Sequence, residues 1–415
     1  MRQRVMETEE MTFSRRGRRL IGQEMFKVLE RAKDMERRGQ HVYHLELGNS
    51  CFSPPASVTQ ATMQALAEGR VGYVSSSGHP DLRAALADRY ARHGRSWITE
   101  ECVVISPANL LINQVLDLIA NERDRVVVFT PAFPTYLAAI EHIGLKVKPI
   151  ALDPENGFHL TRQAIEEAIS LKPRVIIVNS ANNPTGAVYT KSSLEYLIAQ
   201  CAEYGIWVLS DETYGELCYR WPYWSVSAME YERLIVMSSF SKAYSIPGYR
   251  TGYALAHPKV ARKLSLSCST LFSCLPSFTQ EGCVAAMQAG GAYLDDVRAY
   301  YSRMTEHCAD MINQSNILSC TIPESAFYLF ISIHNTHLCG QEFCNRALEE
   351  WQIALTPGRS FGLSFESFVR ASVSGPEKEV LEGIKRLVQF SQEVSHERPW
   401  VPQSSKRLRK VSHAV

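Results

Sequence analysis

The amino-acid sequence predicts an α/β protein: a mostly parallel sheet covered on both faces by helices, followed by a smaller α+β unit. Three observations carry that prediction. Between about residues 55 and 290, short runs rich in valine and isoleucine alternate with segments of helical period. Continuous apolar strands between helices mark a parallel sheet buried on both sides. Beyond residue 290 the pattern changes to long helices around two isolated apolar runs, FYLFISI (327–333) and FVRASVS (368–374). At 415 residues, the chain also exceeds what one hydrophobic core usually serves.

Taken in order, residues 1–12 are polar and read as a loose start. Residues 21–39 predict an amphipathic helix, with Ile21, Met25, Leu29 and Ala32 at near-helical spacing. VYHLELG follows as a short extended stretch ending at Gly48. The strand candidates are CVVI (102–105), RVVVF (125–129), RVIIV (174–178), IWVLS (206–210), LIVMS (234–238) and GYALA (252–256). Helices are expected over about 291–315, near 340–351, and from after FVRASVS to about 393. These features divide the chain into an N-terminal arm with part of the smaller unit (1–54), a large unit (55–290), a small C-terminal unit (291–395) and a tail (396–415). The tail has no periodicity and is expected to be disordered; its KRLRK cluster (406–410) reads as a solvated end or an interaction patch. No internal repeat is visible.

Composition excludes several classes. A net charge of +1 gives no global field for nucleic acid or an anionic membrane. No apolar run approaches the roughly 18 residues of a membrane span. SRRGRRLIG (14–22) superficially matches a twin-arginine export signal, but QEMFKVLERAKDMERRG follows it, charged and helical where an apolar stretch and cleavage site are needed. The eleven cysteines are scattered without a CxxC pair, which predicts reduced thiols and a cytoplasmic location.

The polar residues that stand out all follow the apolar runs. After 102–105 comes SPANLL; after 125–129, TPAFPTY; after 174–178, NSANNPTG; after 206–210, DETY; after 234–238, SFSK. In open α/β sheets, ligands bind beyond the carboxyl ends of the strands. Five such segments at one edge predict a site there.

Three of them, NNPTG (182–186), DETY (211–214) and SFSKxxxxPGYRxG (239–252), occur in the order and spacing of a known family. The chain resembles, over roughly residues 14–393, the class I aminotransferases of the fold-type I pyridoxal-phosphate enzymes. The resemblance implies a large domain with a mostly parallel seven-stranded sheet, a smaller α+β domain, and pyridoxal 5'-phosphate as cofactor. It implies Lys242 as the catalytic lysine, which binds the cofactor aldehyde as a Schiff base and later shuttles the α-proton; a lysine does this when a desolvated, cationic neighbourhood favours its neutral form.

By the same resemblance, Ser239 and Arg250 anchor the phosphate, a guanidinium gripping its oxygens bidentately. Asp211 faces the pyridine nitrogen and keeps the ring an electron sink. Asn183 and Tyr214 hydrogen-bond the phenolic oxygen, Phe133 stacks on the ring, and Asn183 also borders the substrate. Tyr73, in GYVSSSGHPDLR, reaches the phosphate of a neighbouring subunit, which implies a homodimer with shared sites. Arg370, inside the apolar run FVRASV, binds the substrate α-carboxylate, and the backbone of Gly48 lies over the substrate. Each has a plainer reading: a surface salt bridge for Arg250, a helix cap for Asp211, a core ring for Phe133, a loop residue for Tyr73, a structural ion pair for Arg370.

The chain departs from the family pattern at Pro107, where glycine is common and proline has no N–H to give. Ala108 and Asn109 are then the phosphate donors, at a helix N-terminus. Ser50 and Cys51 stand where many relatives carry proline and an acidic residue, and Ser325 and Ala326 replace a stretch often rich in glycine. The expected reaction is transfer of an amino group from an α-amino acid to a 2-oxo acid, by ping-pong kinetics. The alternative is a lyase, decarboxylase or cyclopropane-forming synthase on the same scaffold. A non-catalytic regulator would resemble a fusion to a DNA-binding domain, for which the residues before 20 are too few, and synthases using acyl-CoA generally lack the arginine matching Arg250. No second arginine stands out for a side-chain carboxylate, and Phe52, Tyr73 and Phe133 suit neutral or aromatic side chains; the substrate itself stays open.

Overall fold

The computed structural model describes residues 12–92, 94–220 and 222–397. Its centre is a sheet of seven strands: β1 (Val103–Ser106), β2 (Arg125–Thr130), β3 (Lys146–Ala151), β4 (Val175–Asn179), β5 (Trp207–Asp211), β6 (Leu234–Ser239) and β7 (Gly252–Ala256). Their spatial order is β1-β7-β6-β5-β4-β2-β3, with β7 antiparallel to both neighbours and the other pairs parallel. Alternation along each strand feeds two cores. Ile105, Val127, Ile176, Val208, Val236 and Leu255 pack on one face; Val104, Val126, Ile177, Leu209, Ile235 and Ala254 pack on the other. Both faces are buried, and the apolar runs are unbroken for that reason.

Six strands fall where the apolar runs predict them, and β3 is the exception. Its sequence, KVKPIA, pairs only with β2 at the sheet's edge, and most of its side chains are exposed or half-buried. Lysines and a proline suit an edge, which must not recruit another strand, and they erase the apolar signal. The first helix, α1, spans Glu24–Arg37 rather than 21–39. Gly22 has φ +68° and Gln23 is extended, so Ile21 lies before the helix and is 54% exposed. Met25, Val28 and Ala32 form the buried stripe, with Val28 taking the place assigned to Leu29.

Helix α2 (Ala108–Ile119) follows β1, and a single turn, α3 (Phe240–Ala243), follows β6. The C-terminal portion has helices α4 (Gly291–Asn313), α5 (Gly340–Trp351) and α6 (Glu377–Ser395). They enclose an antiparallel sheet of β8 (Ser319–Cys320), β9 (Tyr328–Ser332), β10 (Thr356–Pro357) and β11 (Phe368–Ser372), in the order β10-β11-β9-β8. Val297, Tyr301, Phe343, Ile384 and Phe390 form its core. The extended stretch before Gly48 joins this portion, since Tyr43–His44 pairs parallel with Ile353–Ala354. Among the described residues no helix is long and apolar enough to cross a membrane. The loose start at 1–11 and the KRLRK tail lie outside the described residues.

Candidate active site

The polar residues after β1, β2, β4, β5 and β6 meet the start of the C-terminal portion around a cavity of about 1000 Å³. Every residue assigned to the cofactor or the substrate backbone lines it except Tyr73, which is 91% exposed and stands away from this chain's cavity. Phe52, expected as part of the side-chain wall, does not line it either: its ring packs edge-on against Tyr293, Tyr300 and Tyr301.

At one end, β1 passes into α2. Pro107 is extended, with φ −56° and ψ 128°, and occupies the N-cap position of the helix. The proline gives up only the N–H of the N-cap position itself, and Ala108 and Asn109, first-turn residues lining the cavity, keep theirs. Gly252 makes room there: a Cβ on it would lie 2.8 Å from the Ser238 carbonyl oxygen and 3.0 Å from the Ala108 nitrogen. Ser239 ends β6, and its Oγ accepts from the Ser241 N–H at 3.1 Å. Arg250, left-handed at φ 57°, closes the same end and donates to the Pro247 carbonyl at 2.9 Å.

Asp211, the last residue of β5, is 5% exposed. Its carboxylate accepts from the Tyr136 hydroxyl at 2.6 Å and the Thr213 N–H at 3.0 Å. Burial pushes its pKa up, against hydrogen bonds from Tyr136 and Thr213 that pull it down. Asn179 ends β4 and donates to the Asp211 carbonyl at 2.9 Å; its Oδ1 accepts from the Asn183 N–H at 3.0 Å, which fixes the NNPTG turn. Phe133 is half-buried with its ring edge-on to Tyr136, centroids 5.7 Å apart.

Lys242 sits in α3 and projects between these ends. Its Nζ donates to the Gly48 carbonyl at 2.6 Å. Burial, reinforced by the Arg370 and Arg250 guanidinium groups, lowers its pKa to about 8. Across the cavity, the Tyr214 hydroxyl lies 2.8 Å from that of Tyr328. Arg370, 1% exposed, stands in β11 with its guanidinium 4.3 Å from the Tyr328 ring centroid and 5.0 Å from that of Phe361. Nη1 donates to Asn183 Oδ1 at 3.0 Å; Nη2 donates to the Glu46 carbonyl and, at 3.4 Å, to Thr356 Oγ1. All three acceptors are neutral, and Nε is buried without a partner.

Gly48 is tightly enclosed. A Cβ there would overlap the Tyr328 hydroxyl and lie 2.6 Å from Phe327 Cε2. Both rings are held in the core, so Gly48→Ala is expected to cost about 1–3 kcal/mol. Thermal unfolding of G48A should show a melting temperature lowered by several degrees, with weakened retention of Lys242 at the displaced carbonyl.

Tyr136, Asn179 and Tyr328 belong to this site without having been singled out. Tyr136 lies one turn after Phe133 in the quoted TPAFPTY, and Asn179 is the polar end of an apolar run. Tyr328 is a lone hydroxyl within FYLFISI, the same kind of anomaly that marks Arg370 in FVRASV.

The comparisons with known proteins agree with this geometry. The model of the family "Aminotransferase class I and II" matches residues 40–387. The aspartate aminotransferase of Musicola paradisiaca is 28% identical over 380 residues, covering 90% of this chain and 95% of that protein. The arginine–pyruvate transaminase of Pseudomonas aeruginosa is 26% identical over 360 residues, covering 86% and 92%. Among solved structures, the aspartate aminotransferase from Thermus thermophilus with maleate superposes with a TM-score of 0.87 at 26% identity, covering 92% of this chain and all of that one. With a sheet, a strand-end site and a family match that all coincide, this chain belongs to the class I and II aminotransferases.

Proposed function

We propose that the chain is an amino acid aminotransferase, moving an amino group from an α-amino acid to a 2-oxo acid with pyridoxal 5'-phosphate as cofactor. The observation that carries this is Lys242: an amine with its pKa lowered to about 8, aimed into a cavity between a buried carboxylate and a buried guanidinium. The residues fit the cofactor. Asp211 is a buried carboxylate bonded by neutral donors from Tyr136 and Thr213, and a protonated ring nitrogen is the partner its charge lacks. Arg250, Ser239 and the first turn of α2 at Ala108 and Asn109 make a cradle for a phosphate. Asn183 and Tyr214 would hold the phenolic oxygen, and Phe133 the ring face.

Bound there, pyridoxal phosphate supplies an aldehyde for the amino group and a ring that withdraws electron density from the substrate α-carbon. Arg370 grips the α-carboxylate and so fixes how the α-hydrogen points; Asn183, on its Nη1, keeps the fork level. Lys242, once its amine is free, takes that proton at Nζ and returns it one step later. The Gly48 carbonyl accepts from the amine and so directs it.

Several features support the rest of the reading. Met63, Leu66, Val71, Tyr73, Leu266 and Leu271 are all exposed, which favours a homodimer in which Tyr73 serves the neighbouring site. All eleven cysteines are free thiols, which favours a reducing compartment, the cytoplasm. The reading divides the chain into a large cofactor-holding domain, 55–290, and a small domain of 291–395 with part of 1–54.

The test is a holoenzyme given an amino donor without acceptor. One oxo acid per active site should form, and turnover should resume when a 2-oxo acid is added. Continuous product release from the donor alone would instead establish a lyase or decarboxylase.

A further inference from the structure

The segment that carries Gly48 is tied down by an unusual set of hydroxyls. Ser50 places its Oγ 2.8 Å from Ser245 Oγ and 2.8 Å from the Tyr301 hydroxyl, and it accepts from the Phe52 N–H at 3.2 Å. Ser245 lies three residues after Lys242 in a left-handed conformation, φ 57°, and meets the Tyr293 hydroxyl at 3.0 Å. Tyr293 also donates to the Ser53 carbonyl at 3.1 Å. Tyr301, fully buried in α4, has its hydroxyl on Ser50. On the other side, the Cys51 N–H donates to the Ser374 carbonyl at 2.8 Å, just beyond the strand of Arg370.

These bonds join three pieces of backbone that each matter to the amine. The 48–53 segment carries the carbonyl that holds Lys242 Nζ; the 240–247 turn carries Lys242; α4 is the rigid element behind both. A proline at position 50 would offer no hydroxyl to either Ser245 or Tyr301. The Ser50 hydroxyl is thus a hydrogen-bonded brace that links the lysine's turn to the segment whose carbonyl faces the amine.

We propose that Ser50 is a positioning residue for amino transfer: through Ser245 and Tyr301 it holds the Gly48 carbonyl 2.6 Å from Lys242 Nζ and so sets the direction of the amine. This rests on the aminotransferase reading above. Because small displacements of a reacting group are costly in rate, Ser50→Ala should lower kcat about tenfold while KM changes less than about twofold, since Arg370 and its carboxylate contact are untouched. Ser50→Thr keeps the hydroxyl and should return kcat to within about threefold of wild type.

A readout independent of turnover is the pH titration of the holoenzyme's visible absorbance, which reports the lysine-bound cofactor. Its midpoint should move in S50A and return in S50T. Tyr301→Phe removes the other hydroxyl and should move kcat and midpoint in the same sense, which keeps the test available if S50A does not fold. Wild-type kcat and midpoint in S50A, or equal losses in S50A and S50T, would overturn the assignment. A wild type that binds the cofactor but transfers no amino group would refute the aminotransferase reading instead, and the absorbance midpoint would still decide the role of Ser50.

Discussion

Replacing Lys242 by alanine is expected to lower amino transfer at least about 10⁴-fold, because in the proposed function one amine both captures the cofactor and moves the α-proton. The fold should survive. Nζ makes one hydrogen bond, to the Gly48 carbonyl, and its removal relieves a half-buried cation lying near two arginines. K242A should therefore melt within a few degrees of the wild type while losing turnover, and a variant that kept activity would sink the assignment. The wild type adds a pH signature. An amine captures an aldehyde only when neutral, and a pKa lowered to about 8 leaves it charged below that pH and neutral above. Stopped-flow uptake of pyridoxal phosphate by cofactor-free protein should thus accelerate as pH rises, with a midpoint near 8. A midpoint in the ordinary lysine range, above 10, would show that the cavity does not desolvate Lys242.

How much of this site was legible in the sequence follows from where its residues lie. Ser106, Thr130, Asn179, Asp211 and Ser239 each end a buried strand, so an apolar run followed by polar residues marks each without knowledge of the others. Lys242 and Arg250 were legible from the same local stretch. Tyr136 and Tyr328 were not, because their roles are contacts: Tyr136 with Asp211 is 75 residues distant, and Tyr328 with Tyr214 is 114. No local pattern reports such pairs. The edge strand β3 was illegible for the opposite reason, since its lysines and proline are selected by solvent and by edge protection rather than by the core. Pro107 costs one N–H, at the N-cap position, and leaves those of Ala108 and Asn109 in place, a limit that only the helix boundary reveals. Tyr73 could be read from its motif alone, yet in the isolated chain it is a solvent-exposed ring.

Arg370→Met should raise KM for the amino donor and lower kcat/KM by about 10²–10³-fold, the loss of a buried, charge-assisted carboxylate contact worth roughly 3–4 kcal/mol. The Arg370 guanidinium has hydrogen-bond acceptors but no anionic one. Its acceptors are Asn183 Oδ1, Thr356 Oγ1 and the Glu46 carbonyl, none of them charged, and burial pulls its pKa down. Held between Tyr328 and Phe361 with Nε unpartnered, it is desolvated in advance of any anion. A substrate carboxylate then gains the pairing without bearing the cost of stripping water from the arginine. Arg370→Lys keeps the charge but loses the planar fork, so it should recover only part of the affinity. Stability separates this from a structural ion pair. If Arg370 existed to hold β10 and β11 together, R370M would lower the melting temperature and leave KM alone. Because an unpaired buried cation is costly, the expected result is the reverse: R370M melts at or above the wild-type temperature, binds its donor poorly, and, with one guanidinium fewer beside Lys242, captures cofactor with a midpoint shifted upward from about 8.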